Sequence, residues 1–134
     1  MFLLDGSTCF ALLKGNGEIR RKLALHEPSA IRLSALVKAE LLQKARASED
    51  VAANLELLSR FFQPFGSLVF DDRCADHYAL LKTQADRLNE SDPFSDSDLM
   101  LAATALVHDL TLVTARPSHF SVVAALPIED WTRD

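Results

Sequence analysis

Three acidic residues stand where chemistry is possible: Asp5, Glu40 and Asp98. Asp5 closes the apolar run Phe2-Leu3-Leu4, which reads as a short buried strand. In an open parallel sheet the carboxyl ends of strands line the ligand crevice. A turn aspartate ahead of Gly6 is the competing explanation for the same residue. Glu40 follows Leu36 by four residues and Val37 by three, a spacing that puts it on the apolar stripe of a helix. A lone carboxylate there is costly without a compensating cation, unless it lies at the edge of the stripe and reaches water. Asp98 shares a helix face with Leu101, Ala102 and Ala105 and sits in the first turn, where the helix dipole favours anions. Ser95-Asp96-Ser97-Asp98 also fits a capping pattern, and capping alone accounts for Asp98.

The three acids are 35 and 58 residues apart, so only the fold could bring them together. An all-oxygen set suits a hard divalent cation such as Mg²⁺ or Mn²⁺. One use of such a site is phosphodiester hydrolysis, in which the metal acidifies the attacking water and neutralises the leaving oxygen. No side-chain nucleophile is then needed, and the sequence offers no convincing Ser/His/Asp or Cys/His arrangement. His77 and His108 lack a partner pattern and read as structural or exposed. Cys9 and Cys74 read as small buried hydrophobes, and Trp131 as an anchor for the last segment.

The elements that must position these residues follow from punctuation and periodicity. After the Phe2–Leu4 strand, Ser7 or Thr8 caps a short helix over Cys9–Leu13, and Gly15-Asn16-Gly17 stops it. Glu18–Leu25 is a second, basic helix, and Ala30–Leu33 a strand interrupted by Arg32. Ser34 caps a helix over Leu36–Ala47, and Glu49–Phe62 forms another, ended by Pro64 and Gly66. Leu68-Val69-Phe70 is the next strand. Asp71 or Asp72 caps a long helix through about Asn89, with Ala75, Tyr78, Ala79 and Leu81 facing inward. Ser91-Asp92-Pro93 is a loop, Ser95 caps a helix over Asp96–Val107, Leu110–Thr114 is a strand, and Val122–Ile128 supplies a last edge strand. Short strands alternating with longer helices predict a three-layer α/β/α sandwich around a mostly parallel sheet of 4–5 short strands, built as one domain over residues 1–134.

Composition sets the outer bounds. The 134 residues are 49 % hydrophobic and 25 % charged, which excludes wholesale disorder. No apolar run approaches the ~20 residues that cross a bilayer, Met1–Leu4 is too short for a signal peptide, and two cysteines make no disulfide scaffold. These features point to a reduced, cytoplasmic protein without a membrane role. The net charge of −5 argues against nonspecific polyanion binding, but it is unevenly spread. Residues 1–46 carry eight basic and four acidic side chains, whereas residues 47–134 carry six and fifteen. Lys14, Arg20, Arg21, Lys22 and Arg116 are the candidate phosphate contacts.

Four stretches in this order resemble a PIN-domain protein of the VapC toxin type: Met1-Phe2-Leu3-Leu4-Asp5 with a short helix ending at Lys14-Gly15-Asn16; Ala39-Glu40-Leu41; Asp98-Leu99-Met100-Leu101-Ala102-Ala103; and Leu112-Val113-Thr114. Leu126-Pro127-Ile128-Glu129-Asp130-Trp131 also resembles the closing strand of such toxins. The resemblance implies a Mg²⁺- or Mn²⁺-dependent endoribonuclease, acting on RNA such as tRNA, with Asp5, Glu40 and Asp98 as catalytic metal ligands. It implies a VapB-type antitoxin partner, contact with operator DNA only through that antitoxin, and a homodimer, for which the helices over Glu49–Phe62 and Asp71–Asn89 are interface candidates. Two departures matter. Gly6 stands where the family usually has Thr or Ser after its first aspartate, with Ser7 and Thr8 as substitutes. After Thr114 the usual asparagine is Ala115, and the acidic residue before Phe120 is His119, which leaves Asp96 or a neutral His119 as the replacement fourth ligand. These departures carry the alternative of a catalytically degenerate PIN domain that binds within an antitoxin–DNA autoregulatory complex. A receiver-like phosphoacceptor domain would want an acidic pair after the first strand and a lysine after the last core strand, and Gly6 and Ala115-Arg116 supply neither.

Overall fold

Phe2–Leu4 (β1) is the central strand of the sheet, and its two flanking neighbours explain why it is wholly apolar. In this computed structural model, which describes residues 1–88 and 94–133, β1 pairs in parallel with β2 (Ile31–Ser34) on one side and β4 (Thr111–Val113) on the other. β3 (Gly66–Leu68) extends the sheet beyond β2, and β5 (Ile128–Glu129) extends it beyond β4, in the order β3-β2-β1-β4-β5. All four pairings are parallel, so each crossover needs a helix, and strands covered on both faces read as continuous apolar runs. Leu3, Leu4, Leu33, Leu112 and Val113 are accordingly buried.

The helices are α1 (Gly6–Leu13), α2 (Gly17–Leu23), α3 (Ala35–Arg46), α4 (Val51–Phe62), α5 (Asp72–Leu88), α6 (Asp96–Val107) and the single turn α7 (Pro117–Phe120), with a 3₁₀ turn at Pro28–Ala30. The chain steps from β1 to β2 to β3 in one direction, then returns past β1 to β4. Right-handed crossovers therefore place α1–α4 on one face and α5 and α6 on the other. The reversal leaves a crevice between the carboxyl ends of β1 and β4, where Asp5 and Thr114 emerge.

Several sequence expectations shift. The cap of α1 is Asp5 itself and not Ser7 or Thr8, because the carboxylate accepts from the Thr8 N–H. The third strand is Gly66–Leu68, two residues earlier than the apolar run Leu68-Val69-Phe70. Its register is set by pairing with Arg32–Ser34, while Val69 is 66 % exposed and Phe70 leaves the ladder to pack edge-on against Tyr78. On α5 the buried side chains are Cys74 and Leu81, with Tyr78 partly buried; Ala75 and Ala79 are exposed, since alanines bury too little surface to fix the phase of a helix. Of the expected edge strand Val122–Ile128, only Ile128 joins β5. The expected loop Ser91-Asp92-Pro93 and the helix end at Asn89 lie outside the described residues.

Leu112 is fully buried in β4 between β1 and β5, whereas Val122 is 58 % exposed on the segment that follows α7. Leu112→Ala is expected to cost about 2–5 kcal/mol, through lost burial and the cavity it leaves. Val122→Ala is expected to stay within about 0.5 kcal/mol. Urea unfolding of the two variants checks this contrast, and equal midpoints would contradict the core assignment.

Candidate active site

The chain leaves β1 and turns at once into α1, and Asp5 makes that turn. Its Oδ1 accepts the Thr8 N–H at 2.8 Å. The Ser7 hydroxyl lies 2.7 Å from Oδ1 and 2.9 Å from Oδ2, and its oxygen accepts the Ala115 N–H at 3.0 Å. The Asp5 N–H and the Thr8 hydroxyl both donate to the Val113 carbonyl, each at 3.0 Å. The carboxylate is thus 1 % exposed and tied across the β1–β4 crevice by neighbours from both sides. Gly6 has its own reason: a Cβ on it would lie 2.9 Å from Glu40 Oε2, so the absence of a side chain leaves room for that carboxylate.

Glu40 reaches this point from α3, whose start is fixed by Ser34 accepting the Leu36 N–H at 3.0 Å. It stands at the exposed edge of the apolar stripe, not under it. Partial burial of the carboxyl nevertheless pushes its pKa up, and the charges of Asp98 and Asp5 push in the same direction, against a hydrogen bond from Ser97 and the charge of Lys44. Cys9 senses the same acids: burial drives its thiol far up, and Asp5 and Glu40 add to the shift, so it stays a neutral thiol. Glu40 is therefore within electrostatic reach of both Asp5 and Asp98.

Asp98 shows what capping does and does not explain. Ser95 Oγ accepts the Asp98 backbone N–H at 3.1 Å, as the capping pattern requires. The Asp98 carboxylate reaches elsewhere, with Oδ1 3.1 Å from Arg116 Nη2 and Oδ2 3.0 Å from His119 Nε2. A carboxylate only accepts, so the His119 contact requires the proton on Nε2, and that nitrogen is not a metal-ligating lone pair in this arrangement. The His119 ring is held between Phe94 and Phe120, with centroids 4.4 and 5.2 Å away.

These groups border an open cleft of about 1290 Å³, whose walls include Glu40, Ser97, Asp98, Arg116, His119 and Arg133. Asp5 is buried and does not itself line it, while its neighbour Gly6 lies against the Glu40 carboxylate that does. Asp96 does not join. It accepts from the Tyr78 hydroxyl at 2.9 Å and lies 3.5 Å from Lys82 Nζ, both on α5. Thr114 is buried and accepts the Arg116 N–H at 2.9 Å, so it positions the arginine backbone.

The basic N-terminal side chains mostly face elsewhere. Lys14 and Lys44 sit over the Phe10 ring, 4.9 and 4.7 Å from its centroid, beside a separate groove of about 230 Å³. Arg20 is exposed on α2, Arg21 pairs with Glu18, and Lys22 donates to the Arg133 carbonyl. Of the five candidate phosphate contacts, Arg116 alone lines the cleft. Ser97 and Arg133 were not legible as site residues. Ser97 resembles any helix-start serine, and Arg133 is brought to the cleft by the Trp131 anchor, which stacks on His26 and meets Phe2 edge-on.

The donor chemistry of Asp5, Glu40 and Asp98 fits a hard divalent cation: all oxygen, and mutually repelling at Glu40. Among the described residues, no three acidic, histidine or cysteine side chains are gathered closely enough to hold a metal as they stand. Asp98 is occupied by Arg116 and His119 instead.

Comparison with known proteins bears on the family and the fold. The sequence profile of the PIN domain matches residues 2–126. The tRNA(fMet)-specific endonuclease VapC of Shigella flexneri is 26 % identical over 132 residues, spanning 98 % of both chains. Ribonuclease VapC2 of Rickettsia felis is 25 % identical over 135 residues, spanning 99 % of both. In the solved structure of DNA-bound VapBC from Salmonella typhimurium, a chain with 27 % identity superposes with a TM-score of 0.89 over 97 % of each chain. The switch-point crevice, the acids around it and the profile match across the sheet lead to one conclusion: the chain belongs to the PIN-domain family and is similar to its VapC members.

Proposed function

We propose that the chain is the toxin of a type II toxin–antitoxin pair, a Mg²⁺- or Mn²⁺-dependent endoribonuclease acting as one domain in the cytoplasm. The observation that carries this reading is that Glu40 feels the charges of both Asp98 and Asp5 beside a cleft that Glu40 and Asp98 line at the β1–β4 switch point. Asp5, Glu40 and Asp98 would hold the metal, which when bound supplies an acidified water and stabilises charge on the phosphoryl oxygens. The chain's own residues do the rest. Ser7 and the Thr8 N–H fix the Asp5 carboxylate, and Ser97 holds Glu40. Arg116 and Arg133 give the cleft the positive charge that an RNA backbone seeks, which the acids alone would repel. The tRNA specificity of the Shigella relative makes tRNA the first substrate class to test.

The partner is a VapB-type antitoxin, as in the VapBC complexes, with operator DNA reached through the antitoxin. The groove beside Phe10, Leu41, Leu57 and Leu58, rimmed by Lys14 and Lys44, suits an apolar segment carrying acidic residues. Leu80 on α5, 52 % exposed, is where a second copy would bury apolar surface in a homodimer. A second reading, the degenerate binding domain, is favoured by the pairing of Asp98 with Arg116 and His119 and by Ala115. It requires that millimolar Mn²⁺ leave the protein unbound.

Two outcomes test the nuclease reading. Antitoxin-free protein is expected to cleave RNA with Mg²⁺ or Mn²⁺, with mapped and reproducible ends. Groups that merely orient a metal ligand are worth ~10–100-fold, so Asp5→Asn and Asp98→Asn should each cost at least about 100-fold. Retention of cleavage in both variants would sink the site assignment. The second outcome concerns Glu40, whose carboxyl is held above the ordinary 4.5. Such a group binds its proton more tightly folded than unfolded, so ionised Glu40 costs stability, and the cost appears as pH rises from the ordinary value through the raised one. With EDTA present, Glu40→Gln is expected to resist urea better than the parent near about pH 8, the gap closing near about pH 4. A gap independent of pH would refute the crowding of the three acids.

A further inference from the structure

Each oxygen of the Asp98 carboxylate has its own donor, and both donors come from the short segment after β4. The two are not equivalent. His119 is packed between Phe94 and Phe120, and its side chain is 12 % exposed. Arg116 has a side chain 47 % exposed, one guanidinium nitrogen at 3.1 Å from Asp98, and Phe120 beneath it at 5.6 Å from the ring centroid. Its backbone is pinned by the Thr114 hydroxyl, so the side chain can swing while its root stays in place. A half-exposed ion pair of this kind is weak and screened by solvent. A guanidinium at this distance repels a second cation arriving at Asp98, so Arg116 and a divalent cation compete for the carboxylate.

We propose that Arg116 is a swinging clamp. It neutralises Asp98 in the metal-free cleft and, once a divalent cation replaces it there, contacts a phosphate of the RNA in the same cleft. The inference rests on the nuclease reading and adds a positioning residue with two alternating partners. Two features favour the second position. Arg116 lines the cleft together with Arg133, Ser95 and Ser118, a lining that offers cations and hydroxyls to a phosphodiester. Its planar fork also serves carboxylate and phosphate oxygens with the same geometry, so the exchange requires no new chemistry.

The clamp makes two expectations of opposite sign for one substitution. Arg116→Met keeps the length and the contact with Phe120 but loses the charge and the fork. In a Mn²⁺ titration without RNA, read by the paramagnetic resonance of free Mn²⁺, the variant should bind Mn²⁺ about fivefold or more tightly than the parent. With saturating Mn²⁺ and a labelled single-stranded RNA, its kcat/KM should fall by roughly tenfold, chiefly through KM. Arg116→Lys, which keeps the charge, should bind Mn²⁺ nearly as the parent does. Arg60→Gln removes a charge from the exposed face of α4, where Arg60 pairs with Glu56, and should change neither quantity. Thermal melting of each variant confirms that it is folded. Equal or weaker Mn²⁺ binding by Arg116→Met, in a parent that cuts RNA with Mn²⁺, overturns the clamp and leaves the nuclease reading standing. Tighter Mn²⁺ binding with unchanged kinetics overturns the alternation, and an equal shift in Arg60→Gln does so by reducing the effect to net charge. Failure of the parent to bind Mn²⁺ or to cut RNA overturns both.

Discussion

The rest of the structure hangs on a buried carboxylate. Asp5 sits at the end of the central strand with 1 % exposure, and an ionised group there is tolerable only if donors surround it. The chain supplies them by starting α1 immediately, so that the Thr8 N–H and the Ser7 hydroxyl close on the carboxylate. The same two residues reach across to β4, Ser7 through Ala115 and Thr8 through Val113. Capping, strand pairing and placement of a reactive acid are thus one interaction network. Because its links run between residues more than 100 positions apart, the crevice exists only when the sheet is formed.

Charge in the cleft is arranged in opposition. Burial first, and then the charges of Asp98 and Asp5, push the Glu40 carboxyl up, while Ser97 and Lys44 offset part of that rise and Arg116 and His119 contact Asp98. The chain's net charge of −5 says little about this local balance. Of the basic N-terminal third only Lys44 acts on the cleft, through its charge on Glu40, since Lys14 lines a separate groove, Arg20 is exposed on α2 and Arg21 pairs with Glu18. The basic side chains of the cleft are Arg116 and Arg133, paired with Asp98 and Asp130, far along an otherwise acidic region.

The parallel sheet, its helices and the acids at its switch point were legible because each leaves a local mark. An apolar triplet ending in Asp5, a serine ahead of α3 and a serine ahead of α6 all carried through to the fold. Residues whose roles depend on distant partners were not legible. Asp96 was a plausible ligand by proximity to Asp98, but two positions along a helix point about 160° apart more often than together, and it turns to Tyr78 on α5. His119 reads as a possible ligand until Asp98 is seen to claim its Nε2 proton. On α5, Tyr78 and Leu81 turn inward as their spacing predicts, whereas Ala75 and Ala79 are exposed and Cys74 takes the buried place. Gly6, which looked like a loss relative to the family pattern, makes sense only once the Glu40 carboxylate is found beside it.

In the proposed cycle Asp5, Glu40 and Asp98 form one divalent-cation site from which Arg116 withdraws. Anomalous diffraction from crystals of the antitoxin-free protein grown with Mn²⁺ tests it most directly. The expected result is a manganese peak between Asp5 and Asp98, within coordinating distance of both or of Glu40 as well, with the Arg116 side chain moved off Asp98. A manganese peak elsewhere in the molecule, or none with Arg116 still paired to Asp98 at saturating Mn²⁺, would contradict it.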